Sequence, residues 1–384
     1  MGHYNTIYNQ LLQLIPRHQF EALTERYEAN RYVKYFTCWQ QFITMLYGQI
    51  RGKDSLRDIE TSLKSQSHRW YHIGLKDIKR STLSDANNRV DYRIYEELFY
   101  LLLQRCKEVT PKHKFKFKNP LYSLDATVIS LCLSMFPWAK YRARKGALKL
   151  HYLYDHSGNL PSFIVVTDGR QHEMKVMKEN DFPLVPDSII SMDRAYVDYK
   201  WLYSLHKSRV FFVTRAKRDI QYEIIGQHPV DRSKGLIFDL EIKLADSKNY
   251  PDKLRLIGFK DPETGKSLAF LTNNFTLDAY TITQIYKARW QIEIFFKWIK
   301  QNLKIKSFLG TSENAVLIQI WTAMCCYLLL AYIKYQTKYS YSMLDLSRIL
   351  AETLFERFSL IDLLSSKYYY ASKIRDPICQ PSLF

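Results

Sequence analysis

The sequence contains few cysteines, few glycines and no repeated segment. Its six cysteines form no Cys-x-x-Cys pair and no spacing typical of a zinc site or a disulfide framework. We therefore expect buried thiols in a reducing cytoplasm. The 12 glycines and 12 prolines form no low-complexity linker, and Met1 to Gln10 lack the apolar run of a signal peptide. These absences exclude a disulfide-rich secreted scaffold, a zinc-binding module and a repeat protein.

Acidic residues are scarce relative to basic ones. Asp and Glu number 38 against 56 Lys and Arg, so the formal net charge is +18. The hydrophobic fraction of 47% is ordinary for a globular protein with a substantial core. The excess of positive charge indicates a polyanionic partner, with nucleic acid as the first candidate, although a soluble protein can be basic without one. The 15% of aromatic residues suits stacking on bases, but we expect most of these rings in the core.

Long apolar runs are limited to one segment, at 316–333. Its length is at the lower limit for a membrane-spanning helix. Gln319 and Thr322 interrupt the run, and no second span accompanies it. We therefore predict a fully buried helix in a protein that has no membrane partner.

The N-terminal part of the chain has a helical pattern. Short helices are predicted within residues 1–80, and a long helix is predicted from Ser81 or Thr82 to about Cys106. This pattern fits a small helical DNA-binding module, although a solvated helical hairpin explains it equally well. The start of the long helix carries side chains of the types that contact bases and phosphates, namely Ser84, Asn87, Asn88 and Arg89.

From Pro120 the periodicity becomes that of strands. Strands alternating with helices near Lys175 and at 199–207 predict a mixed α/β sheet. A β-rich insertion follows, and helices dominate from about Leu277. The predicted strands of the first part are 121–133, 148–154, 162–167, 188–192 and 210–214. The predicted division is an N-terminal helical DNA-binding domain (1–80), a connecting helix (81–117), the first part of the core (118–215), the β-rich insertion (216–275), a core helix (276–310) and C-terminal helices (311–384).

Two aspartates occupy unusual places in these strands. Asp125 lies in the middle of the first predicted strand, and Asp193 closes the apolar run Ile189–Met192. An ionised carboxylate among strand residues is costly to bury without a cation or hydrogen-bond donors. The carboxyl end of a strand is where open α/β sheets place their sites. Each aspartate considered alone is still more often a cap or turn residue.

A predicted helix at 285–300 carries a third acid. At about 100° per residue, four of its polar side chains fall within a stripe of roughly 60° beside an apolar stripe. Because two of them are four residues apart, a surface salt-bridge row also explains the pattern. The four side chains are Tyr286, Arg289, Glu293 and Lys300.

The spacing Tyr-(2)-Arg-(3)-Glu-(6)-Lys resembles the signature of bacterial insertion-sequence transposases of the DDE class, in the IS-four group. The order of Asp125, Asp193, a β-rich insertion and the Glu293 helix is similar as well. The resemblance covers about Phe36 to Lys300. It implies a ribonuclease-H-like core with these three acids as the catalytic triad.

The resemblance also implies a chemistry and its partners. The triad is expected to hold two Mg²⁺ ions, for which Mn²⁺ can substitute, about 4 Å apart for in-line phosphoryl transfer. The nucleophile is expected to be water first and a DNA 3′-hydroxyl second. The expected partners are double-stranded DNA, as element ends and as target, and a second copy of the chain in the DNA synapse. The expected location is the bacterial cytoplasm, in association with the nucleoid.

Several side chains are expected to contact DNA. Arg289, Lys300 and Tyr286 suit phosphate binding, and Trp290 suits stacking on a flipped base, with helix packing as its alternative. The cluster Arg142, Arg144 and Lys145 is a candidate for backbone contact or a merely solvated loop.

Residues outside the catalytic site are expected to have structural or dimer-forming roles. His172 and Glu173 are expected to be structural, and the C-terminal helices are expected to form dimer contacts through a leucine stripe. Two alternative functions stay open, a metal-dependent nuclease without strand transfer and an inactive DNA-binding regulator. The stripe comprises Leu344, Leu346, Ile349, Leu350 and Leu354.

Overall fold

The computed structural model describes residues 4–142, 145–245, 248–303, 305, 308–340 and 342–364. The chain forms two compact units. A helical unit comprises Met1–Pro111 and Ile299–Phe384, and a sheet unit comprises Lys112–Trp298. The N-terminal and C-terminal helical segments, which were predicted as separate domains, therefore share one unit.

The described helices follow one another in this order. They are α1 (Ile7–Gln13), α2 (Arg17–Arg26), α3 (Cys38–Ile50), α4 (Leu56–Lys64), α5 (Arg80–Arg89), α6 (Arg93–Val109), α7 (Glu173–Glu179), α8 (Tyr199–Lys207), α9 (Ala279–Ala288), α10 (Trp290–Asn302), α11 (Glu313–Gln336), α12 (Met343–Thr353) and α13 (Leu360–Leu364). The described strands are β1 (Leu121–Leu131), β2 (Lys140–Arg142), β3 (Lys145–Asp155), β4 (Leu160–Asp168), β5 (Ile189–Met192), β6 (Phe211–Arg215), β7 (Tyr222–Gln227), β8 (Leu236–Leu244), β9 (Leu254–Lys260) and β10 (Ser267–Thr272).

Helix α11 is the centre of the helical unit. It is apolar on all sides, and a helix of that kind is stable in water only when other elements cover it. By length and composition it could cross a membrane, but 89% of its most apolar window is buried inside the protein. It packs against α3, α6 and α12. The polar Gln319 is accommodated because its Oε1 accepts a hydrogen bond from the Leu309 amide at 2.8 Å. The prediction of a buried helix is confirmed.

The predicted long helix from residue 81 to 106 is wrong, because the structure divides it into α5 and α6. Val90 is extended, with φ −70° and ψ 130°. The Asn314 side chain of α11 donates to the carbonyls of Asn87 and Val90 at 2.9 and 2.7 Å. These bonds satisfy carbonyls at the end of α5. Asn87 itself is buried and accepts from Gln41 at 2.7 Å, so its side chain is not exposed for base contact.

The leucine stripe of α12 is also not a free surface. Leu346, Leu350 and Leu354 are almost completely buried within the helical unit. Apolar side chains on one face of an amphipathic helix are most stable against the nearest core. The expectation that this stripe supplies dimer contacts is therefore wrong for these three residues.

A single mixed sheet organises the other unit. The strand order is β2-β3-β1-β5-β6-β10-β9-β8-β7, and β4 pairs with β3. Strands β1, β5 and β6 run parallel, and β3 is antiparallel to β1. Strands β7 to β10, which lie in the predicted insertion, extend this sheet through the antiparallel pair of β10 and β6.

Both faces of the sheet are covered by apolar side chains. One cluster includes Leu124, Met192 and Phe212 together with residues of α7 and α8. The other includes Leu121 and Ile189 together with residues of α9. Because alternate residues of β1 and β5 enter opposite clusters, these central strands are held rigidly from both sides.

Candidate active site

Asp125 and Asp193 lie beside each other in the sheet. Strands β1 and β5 are parallel and pair Leu124 with Met192, and each aspartate is the next residue. Neighbouring strands are about 4.8 Å apart. The Asp125 side chain accepts from the Ala126 amide at 2.8 Å, and the Asp193 side chain accepts from the Arg194 amide at 2.7 Å. The sheet thus brings together two acids that are far apart in the chain.

The helix that carries Glu293 is interrupted at Arg289. The predicted helix at 285–300 is present as α9, which ends at Ala288, and α10, which begins at Trp290, and Arg289 between them keeps a right-handed helical conformation with φ −50° and ψ −31°. Around the break the bonds span three residues: the Arg289 amide donates to Tyr286 at 3.1 Å, and the Ile292 amide donates to Arg289 at 3.0 Å. Short stretches of this tighter winding change the direction of a helix.

Arg289 joins two of the three acids. Its Nη1 donates to Asp125 Oδ2 and its Nη2 donates to Glu293 Oε1, both at 2.8 Å. The Arg289 side chain is only 12% exposed, whereas the side chains of Asp125 and Glu293 are 21% and 33% exposed. A guanidinium is a planar fork of donors, so the two carboxylates lie on two arms of one group. The expected Arg289–Glu293 pair is present, with Asp125 as a second partner.

Tyr286 contacts the third acid. Its hydroxyl donates to Asp193 Oδ1 at 3.4 Å, a long bond. The ring is half-buried against Phe270, with ring centroids 4.9 Å apart, and the Arg289 guanidinium lies 5.5 Å from the ring centroid. Two signature residues therefore contact all three predicted catalytic acids.

Phe295 and Phe296 hold α10 against the sheet. Their rings pack on Tyr152 of β3, with centroids 5.4 and 5.3 Å apart. Since β3 pairs with β1, and Tyr152 lies opposite Asp125, this contact fixes the helix beside that aspartate.

The site is rich in negative charge. Burial raises the pKa of the Asp125 carboxyl, and the carboxylates of Glu293 and Asp193 raise it further, while its bond from Ala126 and the Arg289 guanidinium lower it. Among the described residues, the guanidinium of Arg289 bonds two of these three acids. A cluster of this kind favours the binding of additional positive charge.

Tyr196 was not predicted as a site residue. It lies three residues after Asp193 in a short 3-10 turn and is almost fully buried. Its hydroxyl has no hydrogen-bond partner among the residues that the structure describes. Burial raises the pKa of this phenol, and the charges of Asp125 and Glu173 raise it further. A tyrosine one turn after a strand-end aspartate was the available signal in the sequence.

Lys149 and Glu173 form a second polar group close to Tyr196. The lysine Nζ contacts Glu173 Oε1 at 2.6 Å, and both side chains are largely buried. Burial alone would raise the pKa of Glu173, but the hydrogen bond from Lys149 brings it below its ordinary value. This pair joins β3 to α7. Such a link is the kind of structural role that we expected for Glu173.

The other expected DNA-contacting residues are distributed more widely. Trp290 begins α10 and is 59% exposed, so its ring is open to solvent instead of packed in the helix interface. Lys300 lies in the last turn of α10. Arg142 ends β2 and pairs in the sheet with Lys145 at the start of β3. Arg144 lies outside the described residues.

The donor set of the three acids suits a hard divalent cation. Carboxylate oxygens are the protein ligands that Mg²⁺ and Mn²⁺ prefer. In the part of the chain that the structure describes, no three Asp, Glu, His or Cys side chains form a group that could hold an ion as they stand. Arg289 binds the oxygens of Asp125 and Glu293. The oxygen donors of these residues thus suit a divalent cation, although the arrangement described here has Arg289 bound to them.

Comparisons with known proteins identify the family of this chain. The family described as Transposase DDE domain matches residues 116–329, which is more than half of the chain. Residues 3–76 match a domain of unknown function (DUF4372). The Sinorhizobium fredii protein y4zB, named as a transposase, is 31% identical over 72% of this chain and 77% of its own length. A protein of Geobacillus stearothermophilus, named as the transposase of insertion sequence element IS5377, is 30% identical over 69% of this chain and 70% of its own length.

The chain belongs to the DDE transposase family, and it is an enzyme of DNA cleavage and transposition. Two relatives, from Geobacillus stearothermophilus and Synechocystis, are named as transposases of the insertion sequence elements IS5377 and IS4SA, and the Tyr-Arg-Glu-Lys spacing is consistent with the IS-four group. The mixed sheet is the family's ribonuclease-H-like core, and the family depends on divalent metal. A solved piggyBac transposase synaptic complex with hairpin DNA aligns with 98% of this chain and 85% of its own at 11% identity, with a TM-score of 0.49.

Proposed function

We propose that this transposase binds the terminal inverted repeats of an insertion sequence, cleaves DNA strands at its ends and joins them to target DNA by in-line phosphoryl transfer. One observation carries the proposal. Arg289 and Tyr286 contact Asp125, Asp193 and Glu293, so three of the four signature residues and the two aspartates form one cluster beside the central strands.

Asp125, Asp193 and Glu293 are the proposed catalytic residues and metal ligands. Two divalent cations, Mg²⁺ or in its place Mn²⁺, activate the attacking oxygen and stabilise the leaving oxygen when bound. The carboxylates hold negative charge on rigid strands and on a helix packed against them. No Ser or Cys nucleophile is needed, because water attacks in cleavage and a DNA 3′-hydroxyl attacks in joining.

Side chains of the family signature are proposed to bind the DNA backbone. Arg289 and Lys300 pair with phosphates near the scissile bond, and Tyr286 donates to one. The exposed ring of Trp290 stacks on a base that leaves the duplex. A second contact along the backbone comes from Arg142, Arg144 and Lys145. The net charge of +18 supports long contacts with DNA.

The helical unit is proposed to recognise the element ends through residues 1–80. Two ends must be joined, so the proposed active species is a homodimer on DNA in which each subunit binds one end and cleaves the other. Its proposed location is the bacterial cytoplasm in association with the nucleoid. The nuclease without strand transfer and the inactive regulator are the alternatives that an assay must exclude.

The test uses the purified full chain, Mg²⁺, a donor plasmid with the DNA ends that flank its own gene, and a target plasmid. Cleavage at the ends followed by covalent joining to the target supports the proposal. Cleavage without joining identifies a nuclease, and binding without cleavage identifies an inactive regulator. Mixing a Glu293→Ala chain with a chain that lacks residues 1–80 tests cleavage in trans, since only complementation across subunits restores activity.

A further inference from the structure

Arg289 binds one oxygen of each of two carboxylates that the proposed function assigns to the divalent cation. Its Nη1 and Nη2 each bind one acid at 2.8 Å, Asp125 and Glu293 respectively. Asp125 Oδ1 accepts from the Ala126 amide and its Oδ2 accepts from Arg289, so a cation that coordinates this carboxylate at about 2.0–2.1 Å competes with one of these donors. The two positive groups also repel each other. Arg289 and the cation therefore compete for the same carboxylates.

The hydrogen-bonding capacity of Arg289 is not fully used at this site. Its side chain is largely buried, yet its Nε has no hydrogen-bond partner among the described residues. Arg289 is the single residue between α9 and α10, where the backbone hydrogen bonds tighten to a three-residue spacing. A buried donor without a partner is unfavourable. The position thus holds the guanidinium in place without using all of its donors.

An arginine that leaves two carboxylates needs another anion nearby. A DNA phosphate is such an anion, because a guanidinium binds phosphate oxygens with the same bidentate geometry. DNA therefore offers Arg289 a new partner at the moment when the cation takes its old ones. Exchange in the absence of DNA leaves a largely buried guanidinium unpaired beside a metal ion, which is unfavourable.

We propose that the Arg289 guanidinium occupies the metal site and is displaced from it, so that the divalent cation and the DNA phosphate bind cooperatively and together move the guanidinium. This inference rests on the proposed function of the acids. The coupling is reciprocal: DNA tightens metal binding by the same factor as the metal tightens DNA binding. The enzyme would then gather its metal mainly on DNA.

The test measures Mn²⁺ binding to the full chain by electron paramagnetic resonance of free Mn²⁺, with and without a duplex that carries one element end. For the unmodified chain we expect the duplex to tighten Mn²⁺ binding roughly 10-fold. Arg289→Met, which keeps the bulk and removes the fork, should bind Mn²⁺ roughly 10-fold more tightly without DNA and lose most of the effect of the duplex.

Two further variants separate the causes. Arg194→Met is the matched control, because Arg194 adjoins Asp193 and is exposed, and its side chain has no ion pair within the described ranges. This variant removes the same charge but leaves Arg289 bound to the carboxylates, so the Mn²⁺ affinity should change far less. Arg289→Lys keeps the charge but cannot span both acids, so it should also bind Mn²⁺ more tightly than the unmodified chain. Thermal unfolding of each variant reports whether the fold is intact.

The outcomes distinguish the inference from the function on which it rests. If Asp125→Asn and Glu293→Gln retain full Mn²⁺ binding, these acids do not hold the metal and the proposed function fails. If those variants lose Mn²⁺ while folded Arg289→Met and Arg289→Lys bind it no more tightly than the unmodified chain, the acids hold the metal but exchange is wrong. Equal tightening by Arg194→Met and Arg289→Met would also overturn exchange, because net charge would then explain the effect.

Discussion

Two arginine–carboxylate groups in the sheet unit serve different purposes. Arg255 and Asp239 form a two-pronged pair at 2.8 and 2.7 Å, with side chains 7% and 2% exposed. Arg255 Nη1 also donates to the carbonyls of Asn274 and Leu277, which joins β9 to the segment before α9.

Arg289 differs from Arg255 both in its partners and in how many of its side-chain donors are hydrogen-bonded. It divides its donors between two acids on separate elements and leaves Nε without a described partner. The Arg255 group is closed and has no opening for a ligand, whereas the acids around Arg289 are partly exposed and carry excess negative charge. A buried ion pair with its donors bonded is typical of a structural contact, whereas an incompletely bonded arginine beside partly exposed acids is the arrangement that the proposed exchange requires.

The largest expected effect is on catalysis at the exchangeable group. Asp125→Asn should lower end cleavage by about 10³-fold, since a lost metal ligand removes several kcal/mol of transition-state stabilisation. End binding measured without divalent metal should stay nearly unchanged, because the lost charge is negative and repels phosphates. Strand cleavage and gel-shift assays measure the two quantities. Asp219→Asn, an exposed residue outside the site, is the control, and substantial Mg²⁺-dependent cleavage by Asp125→Asn would contradict the assignment.

The next effect tests the closed group. Arg255→Met should lower the free energy of unfolding by about 3–5 kcal/mol, because it leaves the Asp239 carboxylate buried without a partner. Arg289→Met should cost far less, since its carboxylates are partly exposed to water. Urea denaturation compares the two variants. The double variant Arg255→Met with Asp239→Leu should recover most of the loss, and equal losses for Arg255→Met and Arg289→Met would remove the distinction between the groups.

A pH dependence is expected from the strand that carries Asp125. Ser123 on β1 is hydrogen-bonded to the buried His156 at 2.7 Å, and burial lowers the pKa of His156 to about 4. The unfolded histidine titrates near 6.5, so between these values the unfolded chain binds more protons and stability falls as the pH falls. The group should contribute about 3 kcal/mol to the loss.

Urea denaturation at several pH values between 7 and 4 measures this loss. The His156→Gln variant keeps a polar partner for Ser123 and does not titrate. Its stability should therefore vary less with pH over this range. The same slope in both proteins would mean that His156 is protonated equally in the folded and unfolded states.

The smallest effect concerns the hydroxyl next to the acids. Tyr196→Phe removes a buried hydroxyl that has no partner among the described residues, so the free energy of unfolding should stay the same or rise by up to about 1 kcal/mol. Thermal and urea unfolding measure it. Tyr152→Phe, on the same sheet, is a comparison for the loss of a buried hydroxyl. A fall of more than about 2 kcal/mol for Tyr196→Phe would indicate a bonded hydroxyl.

The sequence alone determined those features that depend on near neighbours in the chain. An apolar surface on every side of 316–333 made α11 a buried helix, and β-branched residues with turn signals produced β1 and the β3–β4 hairpin. The spacing from Tyr286 to Lys300 carried the family signature. Periodicity and motif spacing are local properties, so they could be predicted without a partner in view.

Tertiary structure decided everything that depends on distant partners. Asn314 ends α5 from more than 200 residues away, and Leu346 and Leu350 are buried by the core instead of forming an exposed stripe. Strand β10 returns to pair with β6, which makes the predicted insertion part of the main sheet. Arg289 could have paired with Glu293 alone, as the helix spacing indicates, but α10 packs on Tyr152 of β3, which lies opposite Asp125, and this packing brings Asp125 within its reach as well. Such pairings follow from the packing of strands and helices that are remote in the chain, and no local pattern contains them.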